Sequence, residues 1–280
     1  MEYAIVSTGS KGNCVIIGGK VMVDIGVSYK AIKPYIKDLQ LVLLTHAHGD
    51  HIKPSTIRRL QEERPTLRFG CGKWLLQSVL ACGVPKWRVD IYSPNIKNRY
   101  SNSLELTMIP TKHNVTNCAY KMLIDGEKIF YATDCNNLDG IEAKDYALYM
   151  IEANYEDSEI QKRIAEKEAA GQYVYEYQVL NNHLSKQKAD NFIAENAGIN
   201  SRYVYLHGHE GSNFIVLIEY TKDKRPVYIN KSCITYFGLD EYHGYYKEDI
   251  VSAVHLLDGK KVIVYESPRQ IYELLKENTK

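Results

Sequence analysis

The segment LVLLTHAHGDH constrains what this chain can fold into more than any other part of it. An apolar run typical of a buried strand is followed at once by four side chains of metal-binding type, His46, His48, Asp50 and His51. Alternate side chains of an extended chain share a face, so His46 and His48 can reach one metal ion while the glycine turn directs the next two toward a second. Imidazole and carboxylate groups suit zinc, and also manganese or iron. The segment therefore predicts a metal centre beside a buried strand.

Three further metal-binding side chains come at or just beyond the ends of predicted strands. His113 follows LELTMI, Asp134 follows KIFYA, and His207 follows YVYL. Strand ends are where α/β sheets gather functional sites. The alternative interpretation, three ordinary histidines on a solvated loop, does not account for these later positions. The pattern as a whole favours a metal site.

The order of strands and helices predicts an α/β fold with two sheets. Strands are expected at 3–7, 14–17 and 20–24, before an alternation of helices and strands. Strands then resume, and strand–helix units follow again, which predicts two sheets faced by helices in a four-layer αββα sandwich. The remaining expected elements are a helix at 28–37, a strand at 41–44, a helix from Pro54, the strand LRFG, a helix at 73–81, strands at 104–109, 119–124, 128–132 and up to Glu152, helices at 156–169 and 185–197, and a strand at 203–206.

The texture of the chain changes near residue 212 to short strands rich in Tyr, Val and Ile. We therefore expect a catalytic domain over 1–212 and a small β-rich accessory unit over 213–280. Within that unit, Asp258-Gly259 predicts a hairpin turn, and Ser267 with Gln270 predicts a capping box on a last helix. Packing or assembly of a homo-oligomer is the expected role of this unit, and an accessory binding module is the alternative.

Charge and cysteine content limit the class of protein. The formal net charge is only +1, so attraction to nucleic acid would have to come from a local basic patch. The six cysteines show neither CxxC pairs nor the spacing of a disulfide framework, which favours reduced thiols. We detect neither a leader segment nor an apolar run long enough to span a membrane. A cytoplasmic location without a membrane partner is the expectation.

The segment HAHGDH resembles the HxHxDH signature of the metallo-β-lactamase superfamily, and the resemblance covers roughly residues 1–212. STGSKGN resembles the opening Ser/Gly turn of that family, and VDIG resembles the strand that places Asp24 beneath the metal loop, where it would support the ligands. The resemblance implies two divalent transition metal ions, zinc or else manganese or iron. It implies that His46, His48 and His113 hold one ion, that Asp50, His51 and His207 hold the other, and that Asp134 bridges them.

Glu152, at the end of a predicted strand, and His183, just before a predicted helix, are not needed for this ligand set. A glutamate beside a histidine can orient the ring and keep it protonated as a general acid. The alternatives are a buried carboxylate bonded to a loop and a histidine that neighbours a helix cap. Both motifs resemble the phosphodiesterase branch of the superfamily, which includes transfer-RNA 3′-processing endonucleases and, closer still, double-strand DNA exonucleases of the WalJ/YycJ type. His209 departs from the latter, which usually have a small polar residue there.

The resemblance implies a phosphodiesterase or nuclease that acts on DNA or RNA. Asp50, Glu152 and His183 are the expected catalytic residues, with a metal-bridging hydroxide as nucleophile and His183 as general acid. A small-molecule ester, lactone or thioester hydrolase of the same fold is the alternative, and a catalytically silent binding protein is a third possibility. Lys11, Lys53 and Lys112 neighbour the expected site, as phosphate contacts or as solvated charges. The C-terminal unit resembles the small FlbD-type family.

Overall fold

The first of the two six-stranded sheets is built from the apolar runs of the N-terminal third of the chain. Its order across the sheet follows the chain, with two antiparallel pairings and then three parallel ones. The strands are β1 (Tyr3–Ser7), β2 (Cys14–Ile17), β3 (Val21–Val23), β4 (Leu41–Leu44), β5 (Arg68–Gly72) and β6 (Val89–Tyr92).

The second sheet repeats this plan, with three antiparallel pairings followed by two parallel ones. Its strands also lie in chain order: β7 (Lys97–Ser101), β8 (Leu104–Thr111), β9 (Asn117–Ile124), β10 (Glu127–Ala132), β11 (Leu148–Glu152) and β12 (Arg202–Leu206).

Six α-helices and three short 3₁₀ turns connect these strands. The α-helices are α1 (Tyr29–Ile32), α2 (Pro54–Glu63), α3 (Leu76–Ala81), α4 (Asp157–Ala169), α5 (Glu176–Asn182) and α6 (Lys186–Asn196). The 3₁₀ turns cover Lys33–Tyr35, Lys73–Leu75 and Lys86–Arg88.

Each sheet packs helices against one face. Ile57 of α2 lies in one buried cluster with Val42 and Phe69 of the first sheet, and α6 packs Phe192 against Phe130 of the second. All four residues of β4 are buried, so both faces of this central strand are covered. Two sheets between two helical layers form the predicted αββα sandwich, and the fold class is confirmed.

Some element predictions were wrong in detail. The helix expected at 28–37 is a single α-turn followed by the 3₁₀ turn with Pro34, and the one expected at 73–81 also opens with a 3₁₀ turn. Strands β6 and β7 and helix α5 were not predicted. The two strands are edge strands with polar residues such as those in KNRYS, so they lack the apolar pattern of a buried strand.

This is a computed structural model, and its chain divides into two compact units, Met1–His209 and Glu210–Lys280. The boundary expected at 212 lies outside the described residues and stays a prediction. None of the helices within the described ranges is long and apolar enough to cross a bilayer. The structure describes residues 2–198, 200–207, 214–220, 226–230, 234–239, 251–256 and 259–276.

The second unit contains the strands and the last helix that the sequence predicts. Ser267 N–H donates to Gln270 Oε1 (2.8 Å), and Gln270 N–H donates to Ser267 Oγ (3.4 Å), so the capping box is confirmed. Asp258 of the predicted turn lies outside the described residues. The elements are the antiparallel pair β13 (Phe214–Ile218) and β14 (Pro226–Asn230), the three-stranded sheet of β15 (Ile234–Leu239), β16 (Ser252–Leu256) and β17 (Lys261–Val264), and α7 (Pro268–Lys276).

Candidate metal centre

The candidate site forms where strands of both sheets end. Three of its residues, Asp24, Asp134 and His207, have positive φ angles of 59°, 49° and 61°. This left-handed conformation is uncommon for residues other than glycine, and such strain is concentrated at functional sites. The chain therefore turns sharply after β3, β10 and β12 and directs these side chains into one place. The residues next to or at strand ends are Asp24, His46, His113, Asp134, Glu152 and His207.

Three histidines form the first group of donors. His46 Nε2 lies 3.1 Å from His48 Nδ1, and His113 Nε2 lies 3.4 Å from the same atom. The Nδ1 atom of His113 is 2.8 Å from the carbonyl oxygen of Asn182. Since a carbonyl only accepts, that nitrogen carries the proton and Nε2 presents its lone pair to His48. Lone pairs that converge in this way fit a metal cation.

Burial favours the neutral form of His46 and His113, which is the form that binds metal. Burial and, as the second cause, positive charge on the neighbouring His51 lower the pKa of His46 to about 2. The pKa of His113 is also lowered, mainly by burial. Two of the three histidines in the first group are therefore favoured by burial as ligands rather than as cations.

His51 lies between two buried carboxylates. Its Nδ1 is 2.7 Å from Asp24 Oδ2, and its Nε2 is 2.8 Å from Asp134 Oδ2. Burial lowers the pKa of His51, but Asp24 and Asp134 outweigh it and raise that pKa to about 10. A cation at Nε2, whether a proton or a metal ion, is thus strongly favoured between His51 and Asp134. Asp24 itself is held by Thr45, whose N–H and Oγ1 donate to its two oxygens at 2.9 and 2.8 Å.

Asp134 uses both oxygens within the site. Besides its contact with His51, its Oδ1 lies 2.9 Å from His207 Nδ1, and that nitrogen is also 3.1 Å from Glu152 Oε1. Burial raises the pKa of Asp134, but hydrogen bonds from His183, His207 and His51 hold it well below its usual value. The pKa of His207 is raised well above its usual range by Asp134 and Glu152, against the effect of burial. An ionised carboxylate shared between two sets of histidines fits a position between two cations.

The donor atoms cluster in three groups, each with all its atoms within 4.8 Å of one another: His46, His48 and His113; His46, His51 and Asp134; and Asp134, Glu152, His183 and His207. Within the described part of the chain, Asp50 belongs to none of these groups, and its Oδ2 is 3.8 Å from His51 Nε2. The structure thus brings six of the seven expected ligands into these groups and places Asp50 at their edge. Nitrogen and carboxylate donors in this number fit divalent transition metal ions.

Glu152 and His183 form a close pair within the third of these groups. Glu152 is fully buried, and its Oε1 lies 2.5 Å from His183 Nδ1. Its other oxygen accepts from the backbone N–H groups of Cys135 (2.9 Å) and Leu184 (3.3 Å), which fix the carboxylate. Burial lowers the pKa of His183, but Asp134 and Glu152 raise it to about 9. His183 is 20% exposed and protonated at neutral pH, as a general acid must be.

Sequence reasoning missed residues that shape the metal loop. Asn13 Nδ2 lies 2.8 Å from His51 Nε2 and 3.4 Å from Asp50 Oδ2. Gly26 has to be a glycine, because a Cβ atom there would lie 1.6 Å from the carbonyl oxygen of Asp50. The segments STGSKGN and VDIG, which contain Asn13 and Gly26, were the available signal. Asn182 was missed because it acts through its backbone carbonyl, which carries no residue signature.

The other basic candidates lie less centrally. The side chains of Lys11, Lys53 and Lys112 are exposed. Exposure is expected both of a solvated charge and of a residue that contacts phosphate, so it fits either role. His255 stacks on Tyr236 in the second unit, with ring centres 4.0 Å apart. His209 lies outside the described residues.

Comparison with known proteins identifies the family to which this chain belongs. The family model described as beta-lactamase superfamily domain matches residues 24–180. An exodeoxyribonuclease YycJ from Bacillus anthracis is 35% identical over 63 residues, which are 19% of this chain and 24% of that relative. The match therefore spans about a quarter of the relative's length.

Solved structures show the same fold at low identity. The metallo-beta-lactamase fold protein YhfI from Bacillus subtilis has a TM-score of 0.55 and 18% identity over 75% of this chain and 87% of its own. The short form of human tRNase Z also has a TM-score of 0.55, with 14% identity over 74% and 93%. Zinc-bound PqqB from Methylobacterium extorquens has a TM-score of 0.53, with 12% identity over 74% and 89%.

Proposed function

Because the chain belongs to the beta-lactamase superfamily, whose members are metal-dependent hydrolases, we propose that it is a dinuclear phosphodiesterase that cleaves nucleic acid. The observation that carries this proposal is the contact between Glu152 and His183 beside the metal-binding groups. Hydrolysis of an activated ester needs no such pair, whereas cleavage of a nucleic acid strand expels a sugar oxygen that leaves poorly without a proton.

Six of the seven residues that would hold the metals belong to the donor groups, and the seventh, Asp50, lies at their edge. His46, His48 and His113 would bind one ion, and the second would be bound by Asp50, His51 and His207. Asp134, with both oxygens engaged by histidines, is the proposed bridge. When bound, two such ions, zinc or else manganese or iron, would lower the pKa of a water molecule to near neutrality and neutralise charge on the attacked phosphate.

The chain's own residues then supply orientation and a proton. Glu152 engages His183 Nδ1, so Nε2 is the nitrogen left to donate to the leaving oxygen. Because the pKa of His183 is about 9, the donor is charged before the reaction begins. Asp24 accepts a hydrogen bond from Nδ1 of His51. A carboxylate in this position orients a metal-binding imidazole and makes it a better ligand.

The names of similar proteins support nucleic acid as the substrate class. The relative from Bacillus anthracis is an exodeoxyribonuclease. The human structure is a tRNase Z, and this chain is similar to it in fold. We further propose a cytoplasmic enzyme, with 1–212 as catalytic domain and 213–280 as accessory unit. Five described cysteines are buried free thiols, in keeping with that location.

The test is a substrate panel for the manganese- and zinc-loaded protein. We expect cleavage of end-labelled single- or double-stranded DNA or RNA and of bis(p-nitrophenyl) phosphate, with little turnover of lactones or thioesters. A preparation of the double variant His46→Ala, His48→Ala, purified in parallel, controls for contaminating nucleases. High activity on lactones or thioesters with none on any phosphodiester would assign the site to a small-molecule hydrolase and overturn the proposal.

A further inference from the structure

A helical hairpin, residues 157–182 with α4 and α5, separates Glu152 from His183 in the chain. It has an apolar cluster of its own, in which Ile160 and Ile164 of α4 pack with Val179 of α5. An ion pair between Lys167 Nζ and Glu176 Oε1, 2.6 Å apart, also joins the two helices. These contacts hold the two helices of the hairpin together.

The hairpin ends inside the candidate site. The carbonyl of Asn182, the last residue of α5, accepts from His113 Nδ1 (2.8 Å), and the next residue is His183. Helix α5 has seven residues, so it is about 10 Å long. Side chains at the start of α5 thus lie about 10 Å along the helix from the general acid.

Three tyrosines lie just before that start or in the first turn of α5, and we name them the tyrosine patch: Tyr173, Tyr175 and Tyr177. Their side chains are 74%, 46% and 47% exposed, which is unusual for rings of this size. Fixed contacts hold them in place: Tyr177 Oη donates to Glu168 Oε1 (2.6 Å), and Tyr173 Oη accepts from Gln178 (2.8 Å). Lys167 Nζ lies 4.1 Å from the ring centre of Tyr175 and covers one face of that ring. The patch therefore offers a ligand the exposed ring surfaces of Tyr173 and Tyr177 and the other face of Tyr175.

We propose that the tyrosine patch stacks unpaired bases of the nucleic acid next to the cleaved bond, an inference that rests on the proposed function. Aromatic rings bind bases of any sequence, because every base has a π-face. The hairpin carries five acidic and three basic side chains, a formal charge of −2, so contact with phosphates is disfavoured. Tyr177 lies about 10 Å along α5 from the general acid, a length that corresponds to about three stacked nucleotides at roughly 3.4 Å each. The site is therefore suited to single strands or overhangs of at least that length.

Binding measurements test this independently of turnover. A fluorescent single-stranded oligonucleotide with phosphorothioate linkages, which resists cleavage, is titrated with metal-loaded protein and followed by anisotropy. We expect Tyr175→Ala and Tyr177→Ala each to raise Kd about fivefold or more, because a stacked base is lost. Tyr175→Phe and Tyr177→Phe keep the ring and should stay within about twofold of the unmodified chain. Trp87→Ala, at a 70% exposed aromatic side chain outside the hairpin, is the matched control and should bind like the unmodified chain.

Two further measurements separate the possible outcomes. Bis(p-nitrophenyl) phosphate is too small to reach the patch, so its turnover should be unchanged in all four tyrosine variants. The fold-increase in Kd of the alanine variants should be the same at roughly 50 and 200 mM salt, because phosphate contacts are not involved. Equal Kd values for the alanine variants and the unmodified chain overturn the inference, as does a change of oligomeric state in place of a change in Kd. If the unmodified chain binds oligonucleotides but hydrolyses no phosphodiester, the proposed function fails instead.

Discussion

Glu152 Oε1 and His183 Nδ1 lie 2.5 Å apart although 31 positions separate the two residues in the chain. Parallel pairing of β11 with β12 and the start of α6 bring them together beside Asp134. Glu152 is buried and accepts hydrogen bonds from two backbone N–H groups. The side chain of His183, in contrast, is 20% exposed to solvent. Proton donation, and not metal binding, is the role that we propose for His183.

Replacing His183 by alanine should remove the general acid and leave the metals bound. We expect turnover of nucleic acid to fall about 10²- to 10⁴-fold, and that of bis(p-nitrophenyl) phosphate, whose leaving group needs little protonation, to fall far less. Steady-state kinetics on both substrates, with metal content measured by mass spectrometry, check this. Loss of metal in parallel with activity would make His183 a ligand instead.

Asp24→Asn should weaken metal binding without unfolding the chain. The carboxylate accepts from His51 Nδ1 (2.7 Å), whereas an amide that presents its N–H₂ there would favour the wrong tautomer of the ring. We expect metal affinity to fall about 10- to 100-fold, measured by competition with a chromophoric chelator. Unchanged affinity would show that Asp24 only packs beneath the loop.

Gly26→Ala should displace the loop that carries Asp50. The new Cβ atom would lie 1.6 Å from the carbonyl oxygen of Asp50 and 2.7 Å from the backbone nitrogen of Asn13, and neither is the end of a flexible side chain. We expect a loss of about 1–3 kcal/mol or more in the free energy of unfolding, measured in urea, together with weaker metal binding. Gly49→Ala is the control, since nothing lies within 4 Å of a Cβ atom there, and an equal loss in that variant would remove the steric explanation.

Stability should depend on acid pH through Glu105. Hydrogen bonds from Lys97, the largest cause, and from Arg99, the second largest, hold the pKa of Glu105 below its ordinary value of 4.5. The folded state therefore binds this proton less tightly than the unfolded state does, so the stabilisation is present above pH 4.5 and is lost as pH falls through the folded pKa. The metal-free chain should melt at a higher temperature than Glu105→Gln at pH 7, and the difference should shrink below pH 4.5. A difference that is constant with pH would contradict this origin.

The parts of the fold that the sequence predicts are those with strong local signals. Apolar runs such as LVLL mark β4, and Ser267 with Gln270 marks the start of α7, because burial and capping each impose residue types. The edge strands β6 and β7 bury less and carry no comparable pattern. Helix α5 contains tyrosine and valine, which favour strands, and tertiary packing overrides that preference.

The candidate site divides in the same way. Histidines and aspartates stand out by type and by position after strands, so His113 and Asp134 can be found from the chain alone. The carbonyl of Asn182 and the hydroxyl of Thr8, which accepts from the His207 N–H (2.7 Å), cannot, because such contacts depend on the folded backbone. The exposure of Tyr173 is likewise a property of the fold.

Phosphodiester cleavage by this protein should depend on metal ions held by the cluster. The most direct measurement adds manganese or zinc stepwise to chelator-treated protein and follows cleavage of bis(p-nitrophenyl) phosphate and of an end-labelled oligonucleotide. We expect no cleavage without metal and a rise in rate that saturates near two ions per chain, because the proposed site holds two metals. Full activity in a sample that mass spectrometry shows to be free of transition metal would contradict it.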